Sequence, residues 1–145
     1  MERIELEVFG RVGGSGSKNF YKGIVAPASK YQKPWRDSVT WAFLEKYGRH
    51  FMPFDGAIQL TVLFYLPRPA SHFKKSGELS AEGERHPYPD KRSAPDLTKA
   101  VRNTEDALNR LAYVDDKRVV MIIARWLWRE QPGATVIVEK MENSV

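Results

Sequence analysis

Residues 119–128 read VVMIIARWLW, and no other stretch narrows the possible folds as much. A run of ten, rich in β-branched and aromatic side chains and broken by one charge, predicts a buried strand. It is half the length a bilayer-spanning helix needs. Residues 57–66 (AIQLTVLFYL) predict a second central strand, and Ile4, Leu6 and Val8 alternating with Glu5 and Glu7 predict a first strand with one wet face. After Gln131-Pro132-Gly133 a turn is expected, with residues 134–138 pairing back on 119–128 as a hairpin. Two segments carry helical periodicity instead. In residues 34–47 the apolar positions are Trp35, Val39, Ala42 and Phe43, with Pro34 suited to a first turn. A second helix begins near Asp96, with a stripe of Leu97, Val101, Thr104, Leu108 and Leu111. The order β-α-β-loop-α-β-β predicts an α+β fold, one domain over 1–145, with a mixed sheet packed against helices on one side.

Charge and composition limit the chemistry. The chain has 145 residues, 23 Lys and Arg against 18 Asp and Glu, and a net charge of +5. That excess permits nucleic-acid binding without proving it. Absence of cysteine excludes disulfides, thiolate nucleophiles and Cys-ligated zinc, and fits a reducing compartment. The opening MERIELEVFG has a strand pattern, not that of a signal peptide, and the longest uncharged run, 56–67, is too short to span a bilayer. The expectation is a soluble cytoplasmic protein with no membrane partner.

Against this basic background stands an acidic island. Between Asp96 and Asp116 lie five acids (Asp96, Glu105, Asp106, Asp115, Asp116) and three bases (Lys99, Arg102, Arg110). The helix and a tight return are expected to bring the acids at its two ends together, offering oxygen ligands to a hard cation. Mg²⁺ fits this set, bound by one or two carboxylates with water and substrate phosphate filling its other positions. Asp96, Asp115 and Asp116 are the expected metal ligands. Each acid also has a plainer account: a helix N-cap for Asp96, an i,i+4 ion pair for Arg102 with Asp106, a polar turn for Asp115-Asp116.

The remaining signals are weaker. Residues 67–95 form a long loop with five prolines, His72 and His86, in which Lys74, Lys75, Arg85, Lys91 and Arg92 are candidate phosphate contacts. His50, His72 and His86 lack metal-ligand spacing and are expected to be solvated. Gly13-Gly14-Ser15-Gly16-Ser17-Lys18 fails the phosphate-loop pattern, which needs Gly immediately before Lys and Ser or Thr after it. A flexible loop presenting Lys18 to a DNA backbone is the alternative. The four tryptophans are expected in the core or at a dimer interface.

Pro95-Asp96, Asp106-Ala107-Leu108 and Asp115-Asp116 followed by Val119-Val120 together resemble the signature of the RusA-type Holliday junction resolvases of phages and prophages. Ser15-Gly16-Ser17-Lys18 and Lys33-Pro34-Trp35-Arg36 resemble further elements of that family. The resemblance implies a Mg²⁺-dependent (Mn²⁺ possible) homodimeric endodeoxyribonuclease that cuts four-way junctions at paired sites. Asp96 and Asp116 would then be catalytic, Arg102 would stabilise charge on the transition state, and Asp106 would orient Arg102. Lys18, Arg36, Lys74, Lys75, Lys91, Arg92 and Lys99 would contact DNA. The pattern departs from the family at two positions: Thr98 stands where a second aspartate is usual, and Arg102 where a lysine is. Loss of that carboxylate keeps open two alternatives, a junction-binding protein that does not cut and a nuclease acting on other branched DNA or RNA.

Overall fold

Period-2 alternation in the first strand is realised residue by residue. In β1 (Arg3–Phe9) Ile4, Leu6 and Val8 are buried, while Arg3, Glu5, Glu7 and Phe9 face solvent. The computed structural model describes residues 2–16, 18–21, 24–27, 30–90 and 95–142. Among these, β2 (Lys18–Tyr21) and β3 (Ile24–Pro27) form an antiparallel pair. Then follow α1 (Gln32–Tyr47), β4 (Ile58–Leu66), a 3₁₀ turn (Ala70–His72) and α2 (Ala81–Arg85). The chain continues with α3 (Leu97–Leu108), a second 3₁₀ turn (Asp116–Arg118), β5 (Val119–Trp128) and β6 (Gly133–Lys140).

Strand order in the main sheet is β1-β6-β4-β5. β4 and β5 run parallel, and β6 runs antiparallel to both β1 and β4. The sheet is therefore mixed, as the sequence implied, but its connections differ. β6 does not form a hairpin with β5: it lies between β1 and β4, with Val138 opposite Ile4 on one side and Leu60 on the other. A short link carries the chain past the end of β4, where the Arg129 N–H donates to the Leu66 carbonyl (3.0 Å). Gly133 makes this entry possible. Its φ is +154°, and a Cβ there would lie 2.1 Å from the Val8 carbonyl oxygen.

One face of the sheet is closed by α1 and α3. Ile4, Leu6, Val8, Ile58, Leu60, Val62, Phe64, Ala134, Val136 and Val138 meet Trp35, Val39 and Phe43 from α1 and Ala100, Val101 and Leu108 from α3 in one apolar cluster. The two helices are also pinned by polar bonds: Trp35 Nε1 donates to Thr104 Oγ1 (3.0 Å), and Thr104 Oγ1 donates to the Ala100 carbonyl (2.9 Å). A buried N–H with a partner contributes about 1 kcal/mol; the same N–H left unpaired costs more than that.

β5 corrects a second expectation. It is an edge strand, not a buried one: Val120 is 63 % exposed, and Met121, Ile122 and Ile123 are 42–46 % exposed. A strand that reads as buried from its composition is here covered along one edge only.

The long segment after β4 is more ordered than its proline content suggested. His72 is buried and its ring stacks on His86 at 5.8 Å, with Trp128 edge-on at 5.3 Å. Arg68 donates to the carbonyls of Gly83 (2.9 Å) and His86 (3.2 Å), and Trp128 Nε1 donates to the His86 carbonyl (2.9 Å). Neither histidine is a solvated loop residue. The glycine-serine segment likewise is not a free linker at its start. Gly13 and Gly14 are buried, and a Cβ on them would fall 2.0 Å from the Tyr31 carbonyl oxygen and 2.8 Å from Pro95 Cβ. Of the tryptophans, Trp35 and Trp126 are buried and Trp41 is 68 % exposed on α1. No helix among the described residues is long and apolar enough to cross a membrane.

Candidate functional site

α3 presents three different faces, and each has a distinct role. The Ala100/Val101/Thr104/Leu108 face is core. Lys99, Asn103 and Asp106, spaced 4 and 3 residues apart, form a second face that meets the segment after β1 and the start of α1. Thr98, Arg102 and Glu105, spaced 4 and 3 residues apart, share the third.

Asn103 organises the second face. It is fully buried; its Nδ2 donates to the carbonyls of Gly13 and Gln32 (both 2.8 Å), and its Oδ1 accepts from Arg36 Nε (3.1 Å). Ser15 follows, its N–H donating to the Lys99 carbonyl (2.9 Å) and its hydroxyl to Asp106 Oδ2 (3.4 Å). Arg36 Nη2 lies 3.9 Å from that same oxygen. Asp106 therefore faces Arg36 and Ser15, a correction to its expected pairing with Arg102. Arg102 instead lies near Glu105, whose carboxyl it acts to lower. Sequence reasoning missed Asn103. Its only trace was position: it lies between Ala100 and Ala107, small residues at helical spacing that mark close approach of another backbone.

At the start of α3, Asp96 occupies the N-cap position, yet its side chain makes no capping bond and is largely exposed. The plain structural account of Asp96 is thus not realised. Its nearest charge is Lys99 Nζ at 3.8 Å. Beside it Ser15, Gly16, Thr98, Lys99 and Arg102 line an open cleft of about 280 Å³. The uncapped N–H groups of the first turn and two cations favour an anion there.

The other end of α3 is acidic. After Leu108 the chain turns through Arg110, at φ 70°, and returns under Phe54, whose N–H donates to the Ala112 carbonyl (2.8 Å) and whose carbonyl accepts from Val114 N–H (3.1 Å). Tyr113 is buried in this return and its hydroxyl donates to the Glu105 carbonyl (3.0 Å). Burial, then the charges of Glu105, Asp116 and Asp106, push the Tyr113 phenol far above its usual range. Burial, then Asp116 and Asp106, push the half-buried Glu105 carboxyl up. Asp115 moves the other way: it accepts from the Lys117 N–H (2.8 Å), and this bond, followed by the Asp116 side chain, holds its carboxyl below the usual range. Asp115 and Asp116 are both exposed, and Arg118 reaches back to Asp55 (3.0 Å).

The expected ligand set is therefore divided. Asp115 and Asp116 lie together near Glu105, whereas Asp96 is nine residues earlier, about 13 Å along the helix axis. Among the described residues, no three Asp, Glu or His side chains converge closely enough to hold a metal ion. One chain by itself does not fit the Mg²⁺ site the sequence predicted. Of the expected DNA contacts, Lys99 lines the cleft, Arg36 is held by Asn103 and Asp106, and Lys74 and Lys75 lie in an exposed turn beyond β4. The Lys18 side chain, Lys91 and Arg92 lie outside the described residues.

The comparison with known families settles what this arrangement belongs to. A family model described as endodeoxyribonuclease RusA matches residues 15–139. The chain belongs to the RusA endodeoxyribonuclease family. That match spans the cleft, α3 and the Asp115-Asp116 corner, and it accounts for the mixed sheet with helices on one face. A curated relative, the uncharacterized protein YqaN of Bacillus subtilis (strain 168), is 31 % identical over 88 residues, 59 % of this chain and 59 % of that protein. The chain thus matches about three fifths of that relative's length, and the relative's name carries no activity. Thr98 and Arg102, four residues apart, fall on the same face of α3.

Proposed function

We propose that this protein is an endodeoxyribonuclease that hydrolyses phosphodiesters in branched DNA, with the four-way junction as its substrate in recombination and repair. The observation that carries this reading is the RusA family match over residues 15–139, a span that includes Asp96, Asp106, Asp115 and Asp116. The cleft beside α3 supports it: Thr98, Lys99 and Arg102 with the uncapped first turn suit a phosphate diester. In the reaction water adds at phosphorus and the bond to one bridging oxygen breaks. Arg102, fixed in charge and planar, offsets the negative charge that grows on the phosphoryl oxygens. Arg36, held by Asn103 and Asp106, supplies a second cation along the same wall.

Mg²⁺, with Mn²⁺ as a substitute, remains part of the proposal, and Asp96, Asp115 and Asp116 are the residues offered to it. Their separation within one chain means that no catalytic step is assigned to the ion here. A homodimer is also proposed, since two cuts placed symmetrically on a junction need two sites. One further reading has its own support. With Thr98 replacing a carboxylate and the acids of one chain divided, the protein would bind junctions without cutting them.

A labelled four-way junction, incubated with the protein with and without Mg²⁺ or Mn²⁺, separates these readings. Paired metal-dependent nicks support the first, and a mobility shift without nicks supports the second. Cleavage confined to single strands or RNA contradicts both.

A further inference from the structure

A second hollow, apart from the cleft beside α3, opens beyond the ends of β4 and β5. Pro67, Arg68, Phe73, Trp128, Arg129 and Glu130 enclose about 500 Å³, a volume in the range of small-molecule sites. The topology fixes its place. β4 and β5 run parallel with α3 between them in sequence, so Pro67-Arg68 and Trp128–Glu130 lie at the carboxyl ends of the two strands. β1 is parallel to β4 as well, because both run antiparallel to β6. Beyond the end of β1, Gly14 and Ser15 touch Pro95 and Lys99. Asp96 and the cleft beside it therefore open at the same end of the sheet as the hollow. Ligands of parallel strands gather at that end.

The walls of the hollow are fixed by bonds within the chain. Trp128 Nε1 donates to the His86 carbonyl (2.9 Å), and the Arg68 guanidinium lies over the Trp128 ring at 5.2 Å. Arg68 Nη1 is engaged by the Gly83 and His86 carbonyls (2.9 and 3.2 Å). Phe73 completes the enclosure and is 44 % exposed. It stands at the base of a small hairpin: Phe73 bridges to Leu79, the Lys74 N–H donates to the Glu78 carbonyl (2.8 Å), and Gly77 turns at φ 90°. That hairpin carries Lys74 and Lys75, both exposed. With the indole N–H and Arg68 Nη1 already engaged, the hollow offers a ligand flat ring surface, a guanidinium plane and positive charge. A planar ring joined to a phosphate matches all three. A purely apolar ligand leaves the cations unmatched.

We infer that this hollow takes one unstacked base of the DNA strand crossing the carboxyl end of the sheet. Phe73 and the Arg68–Trp128 pair lie against the base, and Lys74 and Lys75 meet the flanking phosphates. Stacking of this kind tolerates any sequence, because every base has a π face. A base inside an unbroken duplex is already stacked, whereas one at a branch or in a single strand is released at least cost. The hollow therefore favours branched over linear DNA, a distinction that phosphate contacts alone do not make.

This inference rests on the proposed action on branched DNA, and binding and cleavage are read separately to keep the two apart. Wild type, Phe73→Ala, Phe73→Trp and a Lys74→Ala/Lys75→Ala double variant are titrated with a four-way junction and with linear duplex, over a range of NaCl concentrations without Mg²⁺. Phe73→Ala should weaken junction binding about 10-fold at an unchanged salt slope, leave duplex binding unaltered, and be rescued by Phe73→Trp. The double lysine variant should weaken binding to both DNAs and flatten the salt slope. A check free of any variant uses wild type and junctions carrying 5-iododeoxyuridine at each position flanking the branch in turn. Irradiation should crosslink Phe73 or Trp128, located by mass spectrometry. Unchanged junction affinity in Phe73→Ala, an equal loss on junction and duplex, or crosslinks confined to other residues overturns the inference. Paired nicking by the wild type in Mg²⁺ alongside those results leaves the nuclease reading intact without this site. Phe73-dependent junction binding with no nicks leaves the inference standing and removes the proposed cleavage. A wild type that binds no DNA overturns both.

Discussion

The two edges of the sheet are finished in opposite ways. On β1 the outward residues are Arg3, Glu5, Glu7 and Phe9, with Arg3 paired to Glu5 (3.3 Å) and Glu7 to Arg129 (3.5 Å). Charges of this kind keep an edge from recruiting another strand. β5 has the contrary design, with four consecutive apolar residues exposed where a monomer would place lysine or glutamate. Both edges are bordered by the same helical layer, so incomplete folding does not explain the difference. One edge is lined by charge, and the other presents an apolar strand to solvent.

Placing a charge on each edge breaks or sharpens that contrast most strongly. If the proposed homodimer joins along this edge, Ile122→Lys should weaken self-association by about 100-fold, the equivalent of roughly 3 kcal/mol. Phe9→Lys, at a site 61 % exposed on β1, should leave association unchanged and stability within about 0.5 kcal/mol. Sedimentation equilibrium and urea unfolding read the two quantities. Equal effects from the two variants would erase the distinction between the edges.

A second prediction concerns the layer between them. Asn103→Ala strips partners from Gly13 and Gln32 carbonyls and from Arg36. Leaving such buried groups unpaired should cost about 2–4 kcal/mol in urea unfolding and loosen Arg36 beside the cleft. A loss below about 0.5 kcal/mol would mean that the α1–α3 seam does not depend on this residue.

The smallest expected effect lies at the foot of β5. The Glu105 carboxyl is raised in the folded state above its ordinary 4.5. The folded chain therefore holds more protons than the unfolded one just above that pH, and stability falls as pH rises through the window. Glu105→Gln removes this penalty. The variant should be more stable than the wild type at neutral pH, by less than about 1 kcal/mol given the partial exposure, and the gain should shrink below pH 4.5. A constant difference across the range would show that the Glu105 carboxyl is not raised in the folded state.

Much of this was legible in the residues. Alternation in Ile4, Leu6 and Val8 and the stripe on α3 follow directly from strand and helix periods, and both elements lie where those periods place them. The expected β5–β6 hairpin does not form: adjacency in sequence favours it, but the competing register with β1 and β4 depends on strands 68 or more residues distant. An apolar strand has the same sequence signature whether it is buried by its own chain or by another, so the exposure of Val120 to Ile123 was not visible. For the site, the signature residues on α3 and after it could be named, but not their partners. Asp106 lies four residues from Arg102, yet its carboxylate meets Arg36 and Ser15, which are brought to it only by tertiary packing.

We propose that the acids before and after α3 serve phosphodiester cleavage in branched DNA. The most direct test compares the wild type with Asp116→Asn on an end-labelled four-way junction in Mg²⁺ and in Mn²⁺, resolving products on a denaturing gel and complexes on a native one. The account predicts paired nicks by the wild type. For Asp116→Asn it predicts no nicks, with junction binding undiminished or tighter because one negative charge near the phosphate is gone. Cutting by Asp116→Asn at the wild-type rate, or a wild type that neither binds nor cuts the junction, would contradict it.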